Sequence, residues 1–166
     1  HLALVEDRRW SRGHLKSISL LGNVLSAYEA QAMDAQEVAM HKDGLLTEAC
    51  ASNIIIAVDG GLVTPSLDSA SILEGATRAR CLALDPSIVE RPVGVEELLR
   101  ADEVILVGTT SIVTSALTLD GKPIGHGTDA GQIGPHARRL LGLMMDDCRA
   151  QVDAAKASAG EAITVG

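Results

Sequence analysis

The sequence predicts a mixed α/β fold with a largely antiparallel sheet, on three observations. Short β-branched runs are joined by tight-turn dipeptides, as in "MHKDGLL", "NIIIAVDGGLVTP" and "LTLDGKP". Asp-Gly between two apolar runs signals a hairpin, and serial hairpins make antiparallel sheet. Helical periods interrupt the strands in the order helix, strands, helix, strands, helix, which is not a row of βαβ units.

Taken in order, residues 1–12 carry "EDRRWSR", a charged opening without a clear period, and its basic group Arg8, Arg9 and Arg12 reads as a candidate site less readily than as solvated charges near a chain end. A helix is expected over about 19–34, where Leu21, Val24, Leu25, Tyr28 and Ala32 share one apolar face that can build core. Hairpins follow at Lys42-Asp43-Gly44 and Asp59-Gly60-Gly61. "SASILEGATRARCLAL" reads as a loop entering a helix near 73–75, and "VGVEELLRAD" as a second, short helix. "DEVILVGTTSIVTSALTLDGKPIG" is strand, break and strand, with a hairpin turn at Asp120-Gly121. The last helix starts near Gly134 or Pro135 and keeps Ala137, Leu141, Met144, Met145 and Cys148 in helical spacing. From Ala154 the residues are small and polar. The expected division is therefore a domain over 1–153 and a flexible tail over 154–166.

Composition narrows the function. A chain of 166 residues, 46% of them hydrophobic, can bury a real core. One Trp, one Tyr and no Phe make that core aliphatic. A net charge of −8 argues against nucleic acid as a partner, since phosphate binding needs a basic surface. No apolar run approaches the roughly 20 residues that span a bilayer, and the opening lacks the layout of a signal peptide. Three scattered cysteines, Cys50, Cys81 and Cys148, fit neither a disulfide framework nor a zinc site, so a reducing cytoplasm is the expected setting and no metal is expected. His14, His41, His126 and His136 lie apart, without HExxH spacing. There is no G-x-S-x-G elbow, Walker loop or G-x-G-x-x-G.

Four other stretches bear on chemistry. Lys16 in "GHLKSISLLGN" sits among Leu15, Ile18, Leu20 and Leu21. A lysine there is either a solvated charge or an amine in an apolar pocket, where desolvation makes it a nucleophile. Glu48 falls in an apolar strand, either as an edge charge facing water or as the partner of a buried cation. "LEGATR" opens a helix at Gly75, Ala76 and Thr77, whose free N–H groups and hydroxyl suit a phosphate as well as an ordinary helix start. "VGTTS" ends a buried strand in small and hydroxyl residues, fit for a capped turn or for a ligand. In that order, a lysine, a carboxylate and two phosphate-suited turns match the needs of pyridoxal phosphate.

These motifs resemble those of the fold-type IV, or class IV, pyridoxal-phosphate aminotransferases, from about Arg9 to Met145. "LKSISLLGNVLSAYEA" is similar to the family's lysine motif and "LLTEACASNIIIAVDGGLVTP" to its T-E-G-x-x-S-N strand. "ILEGATR" is similar to its L-x-G-[IV]-T-R turn, and "ADEVILVGTTSIVTSALTLDGKPIG" to its A-D-E-V strand and hairpin. The resemblance implies the family's large C-terminal domain, a pseudobarrel with packed helices. It implies Lys16 as the Schiff-base lysine and proton shuttle, Glu48 on the pyridine nitrogen, and Leu73 on the ring face. Ala76, Thr77, Thr109 and Thr110 would hold the phosphate. "KSISLLGN" and the stretch after Asp120 lean towards the D-amino-acid branch, with a D-amino acid and a 2-oxo acid as substrates and a homodimer as the assembly. Aminodeoxychorismate lyase chemistry, or a truncated cofactor binder without turnover, is the alternative. The motif reads "TEA" rather than T-E-G, and Cys50 and Ala51 stand where the family often has hydroxyls. Only the second half of the family's chain is matched, so the first domain, with a further phosphate arginine and most of the carboxylate trap, is expected upstream or on another chain. The 166 residues alone are expected to be inactive.

Overall fold

The computed structural model describes residues 1–163, with side chains to 158. Two five-stranded sheets pack face to face, with helices on both outer faces. The first sheet has the order β10 (Lys122–Pro123), β9 (Thr118–Leu119), β1 (Leu2–Glu6), β2 (Glu37–Lys42), β3 (Leu45–Leu46). The second has β6 (Ile88–Arg91), β5 (Gly61–Pro65), β4 (Asn53–Val58), β7 (Glu103–Gly108), β8 (Ile112–Ala116). The helices are α1 (Leu21–Ala32), α2 (Ala76–Leu84), α3 (Val95–Leu99) and α4 (Pro135–Ile163).

The three Asp-Gly hairpins form as expected. Asp43-Gly44, Asp59-Gly60 and Asp120-Gly121 all take positive φ at both residues, the twist that joins antiparallel strands without splaying them. Two strands, β1 and β6, were not expected, and they supply all three parallel pairings: β1 with β2, β1 with β9, and β5 with β6. The remaining contacts are antiparallel.

Strand alternation divides the core. Ile54, Ile56 and Val58 of β4 point between the sheets and meet Leu2, Ala39, Leu46 and Val104. Ile55 and Ala57 point outward and meet Cys81 of α2 with Ala137, Leu140 and Met144 of α4. Each isoleucine so buried contributes about 2 kcal/mol. Ala3, Val5, Val38 and Met40 form the outer face of the first sheet, against Ala30 of α1.

The apolar stripe expected to pack α1 does not do so. Leu21 is 71% exposed and Tyr28 64%, with Val24 and Leu25 also open. Ser26 and Ala30 face the sheet instead, because small side chains let the helix sit close on β1 and β2. In α4 the inward stripe is Ala137, Leu140 and Met144, while Leu141 and Met145, expected inside, are on the partly open flank. Residues 154–163, expected as a flexible tail, lie in the last turns of α4, and 164–166 fall outside the described residues.

The start of α4 is fixed by a carboxylate from another element. Buried Glu103 accepts the His136 and Ala137 N–H groups at 2.9 Å each. Glu103→Ala is expected to strand both donors and to destabilise the fold by about 1–3 kcal/mol. A lowered urea midpoint at constant m-value is the expected result.

Candidate active site

A buried carboxylate organises one end of the two sheets. Thr47 and Glu48 extend β3 along β2, with Thr47 N–H on the Met40 carbonyl at 2.8 Å and Met40 N–H on the Glu48 carbonyl at 2.9 Å. The Glu48 side chain turns inward, and its carboxylate accepts Arg9 Nη1 at 2.5 Å, Asn53 Nδ2 at 3.1 Å and the Leu73 N–H at 3.2–3.3 Å. The edge-charge reading of Glu48 is therefore replaced by the paired one. Burial pushes its carboxyl above the ordinary range, against the pull of Arg9 and the Leu73 N–H.

Arg9 corrects the sequence reading of a solvated arginine cluster. Arg8 and Arg12 are exposed, but the Arg9 side chain is only 7% exposed. Its Nε and Nη2 bind the two oxygens of Asp7 at 2.9 and 2.7 Å, and Asp7 also accepts the Thr47 hydroxyl at 2.8 Å. Burial works against both charges, yet these bonds hold the Asp7 carboxyl below its ordinary range and the Arg9 guanidinium above its own.

The other motif residues gather around this cluster. Asn53 Nδ2 also donates to the Leu73 carbonyl at 2.9 Å, so it spans Glu48 and the loop before α2. Gly75 must lack a side chain, since a Cβ there would lie 2.1 Å from Asn53 Oδ1. Gly108 at the end of β7 is also closely approached: a Cβ would lie 2.7 Å from Ser52 Oγ and 3.2 Å from the Ala51 carbonyl oxygen, so its neighbours would have to shift. These approaches bring the start of α2 and the Gly108–Ser111 turn to the Glu48 end of the sheets. Thr109 and Thr110 are exposed on that turn, and Ile112 closes it at φ +56°, a strained conformation for a β-branched residue costing about 1–2 kcal/mol. At α2, Gly75 is the cap residue without a side-chain cap bond, and the first helical bond is Ala79 N–H to the Gly75 carbonyl. The N–H groups of Ala76, Thr77 and Arg78 thus have no partner within the helix.

Lys16 lies in the loop between β1 and α1. That loop leaves from Arg9, and Gly22 in the first turn of α1 returns to lie against the Arg9 side chain. Midway, Ser71 Oγ donates to the Ser11 carbonyl at 2.9 Å, two residues before Leu73. Asn23 Nδ2 donates to the Cys50 carbonyl at 2.7 Å, and the Cys50 thiol donates back to the Asn23 carbonyl at 3.3 Å. Burial, helped by Glu37, pushes this thiol up to about 12, so Cys50 acts as an unreactive clamp. The loop is pinned at the Glu48 end, but the apolar pocket expected around Lys16 is not there. Lys16 is exposed, and so are Leu15, Ile18, Leu20 and Leu21, with Ile18 at 99%.

The structure therefore joins Glu48, Leu73, Ala76, Thr77 and the Thr109–Thr110 turn in one region. Residues 2–117 match the model of the amino-transferase class IV family. The chain belongs to the class IV aminotransferases. It is 37% identical to the D-alanine aminotransferase of Staphylococcus haemolyticus over 142 residues, which are 83% of this chain and 49% of that protein. Among solved structures it resembles the branched-chain amino acid aminotransferase from Escherichia coli, at a TM-score of 0.68 and 27% identity over 84% of this chain and 50% of that one. It also shares its fold with a putative 4-amino-4-deoxychorismate lyase from Legionella pneumophila, at a TM-score of 0.73 and 24% identity over 87% and 55% of the two chains. The chain spans about half the length of the relatives it matches.

Asp7, Arg9 and Asn53 are the members of this aminotransferase cluster that sequence reasoning missed. The signal for Asn53 was present, since it is the last residue of the T-E-A-x-x-S-N stretch. Arg9 stood out only within the basic group Arg8, Arg9 and Arg12, with the solvated reading preferred, and Asp7 gave no signal, because a charged opening reads as solvent-facing until its neighbours are known.

Proposed function

We propose that this chain is the cofactor-holding part of a pyridoxal-phosphate-dependent transaminase that moves an amino group from a D-amino acid to a 2-oxo acid. The observation that carries the proposal is the buried Glu48 carboxylate. Asp7 and Glu48 share one guanidinium, so the buried cluster carries a formal charge of −1. A protonated ring nitrogen would complement it. The residues present fit the cofactor at its other end too: α2 begins with uncapped N–H groups, and glycines at 75 and 108 keep the approach narrow.

When bound, the cofactor supplies an electron sink for the bond broken at the substrate Cα. Glu48, itself held by Arg9, Asn53 and the Leu73 N–H, would keep a proton on the ring nitrogen. Leu73 would lie against the ring. The Ala76 and Thr77 N–H groups, with the hydroxyls of Thr77, Thr109 and Thr110, would hold the phosphate. Lys16 would hold the cofactor through its amine and would carry the proton at the substrate Cα.

The D-amino-acid assignment is supported by the 37% identical D-alanine aminotransferase. Leu15, Ile18, Leu20, Leu21, Leu25 and Tyr28, near Lys16 in the chain, are exposed large apolar side chains, which suits a surface that another domain covers. In the active protein a further domain covers them and two copies pair as a homodimer; the relatives are about twice this length. That cover supplies the dry setting Lys16 lacks here and the trap for the substrate carboxylate.

The test is a half-reaction assay with D-alanine, L-alanine and aminodeoxychorismate. It is run on these 166 residues and on a form joined to the remaining half of the relatives' length. The expected result is no turnover in the short chain and preference for D-alanine in the long form. Pyruvate release from aminodeoxychorismate without transamination would replace this reading with a lyase. Full activity in the short chain would show that substrate orientation needs no other domain.

A further inference from the structure

We infer that Asp7 is a positioning residue for Glu48: it holds Arg9 from the side, fixes a single Arg9–Glu48 bond, and offsets the guanidinium's charge, so that the cluster keeps a net negative charge to offer a cationic ring nitrogen. The inference rests on the cofactor reading above and deepens it.

The geometry is specific. Arg9 offers its Nε–Nη2 edge to the two oxygens of Asp7, at 2.9 and 2.7 Å, and only Nη1 to Glu48, at 2.5 Å. A two-point grip fixes the guanidinium plane, and a one-point contact does not. Asp7 is in turn fixed by the Arg9 N–H at 3.1 Å and by the hydroxyl of Thr47, the residue next to Glu48, at 2.8 Å. All three charged side chains are under 10% exposed, so water does little to screen them. Alone with Glu48, the Arg9 cation would neutralise it and leave little attraction for a protonated ring nitrogen. With Asp7 in place the cluster has two negative charges and one positive. Asn53 and the Leu73 N–H, the other groups bonded to Glu48, are neutral and leave that balance unchanged.

Two measurements on the 166-residue chain test this. The first is cofactor-free. The Glu48 carboxyl is followed by carbon-13 NMR during titration, with its resonance identified by its loss in Glu48→Gln. Asp7→Asn, which keeps the shape and an acceptor for Arg9, is expected to move the Glu48 midpoint down, because Arg9 then serves Glu48 alone. Arg9→Gln is expected to move it up, because Asp7 then faces Glu48 without a cation between. Opposite shifts are the signature of shared charge. A Glu48 midpoint unmoved or raised by Asp7→Asn would overturn the inference.

The second measurement compares the affinity for pyridoxal phosphate with that for its analogue bearing carbon in place of the ring nitrogen. The wild-type chain is expected to prefer the nitrogen form by at least about tenfold, and Asp7→Asn to lose at least about threefold of that preference with little change for the carbon analogue. Equal loss for both forms would mean that Asp7 only supports the fold. No preference in the wild type would overturn the cofactor reading itself, while the titration still decides what Asp7 does to Glu48.

Discussion

Replacing Lys16 with alanine is expected to lower transamination in the long form by about 10⁴-fold or more, because one side chain supplies both the covalent attachment and the proton transfer. The same change is expected to leave folding untouched. Lys16 is exposed and makes no hydrogen bond or ion pair among the described residues, so its removal disturbs no packing. The paired readouts are turnover with D-alanine and the urea midpoint. Turnover within tenfold of wild type would move the chemistry to another group. A large loss of stability would make Lys16 a structural residue.

Glu48→Gln is the second large effect. The amide keeps the shape of the side chain and one oxygen for Arg9, and Arg9 keeps both bonds to Asp7, so the cluster stays assembled. A neutral amide does not hold a proton on the ring nitrogen. Cofactor is expected to be retained and turnover to fall on the order of 10²-fold or more. Glu48→Ala differs in kind, since it removes the acceptor for Arg9 Nη1, Asn53 and the Leu73 N–H together. Breaking a buried pair in this way is expected to cost about 3–5 kcal/mol of stability. Unchanged turnover in Glu48→Gln, measured with D-alanine in the long form, would return Glu48 to a structural role.

What was legible in the sequence follows from where each signal is encoded. The three hairpins are local: Asp-Gly between apolar runs specifies its own turn, and all three form. β1 was illegible because it is buried on both faces, with Leu2 and Leu4 towards one core and Ala3 and Val5 towards the other. A strand flanked in parallel on both sides has no alternation to read. β6 is short and lies at the sheet edge, with Val89 and Glu90 outward, so "IVER" gives little pattern.

The α1 stripe shows a different limit. Its period was real, but a period does not say which surface will cover it, and within this chain the close contact is made by Ser26 and Ala30. Glu48, Leu73, Ala76 and Thr77 are expected from motif order, and the fold brings them to one end of the sheets. The buried partner of Glu48 is not expected, because Arg9 lies 39 residues away in sequence and carries the charge that normally marks solvent. The pairing of β1 with β2, and of β2 with β3 and its extension to Glu48, brings the two together.

The most direct test of the central claim, that Lys16 and the Glu48 cluster form one cofactor site, is chemical trapping. The chain is mixed with pyridoxal phosphate, its visible absorbance is recorded, and borohydride is added to fix the lysine–cofactor linkage before peptide mapping. The account predicts a visible band in the wild type and a label on Lys16. A label on Lys42, Lys122 or Lys156 in its place would contradict it.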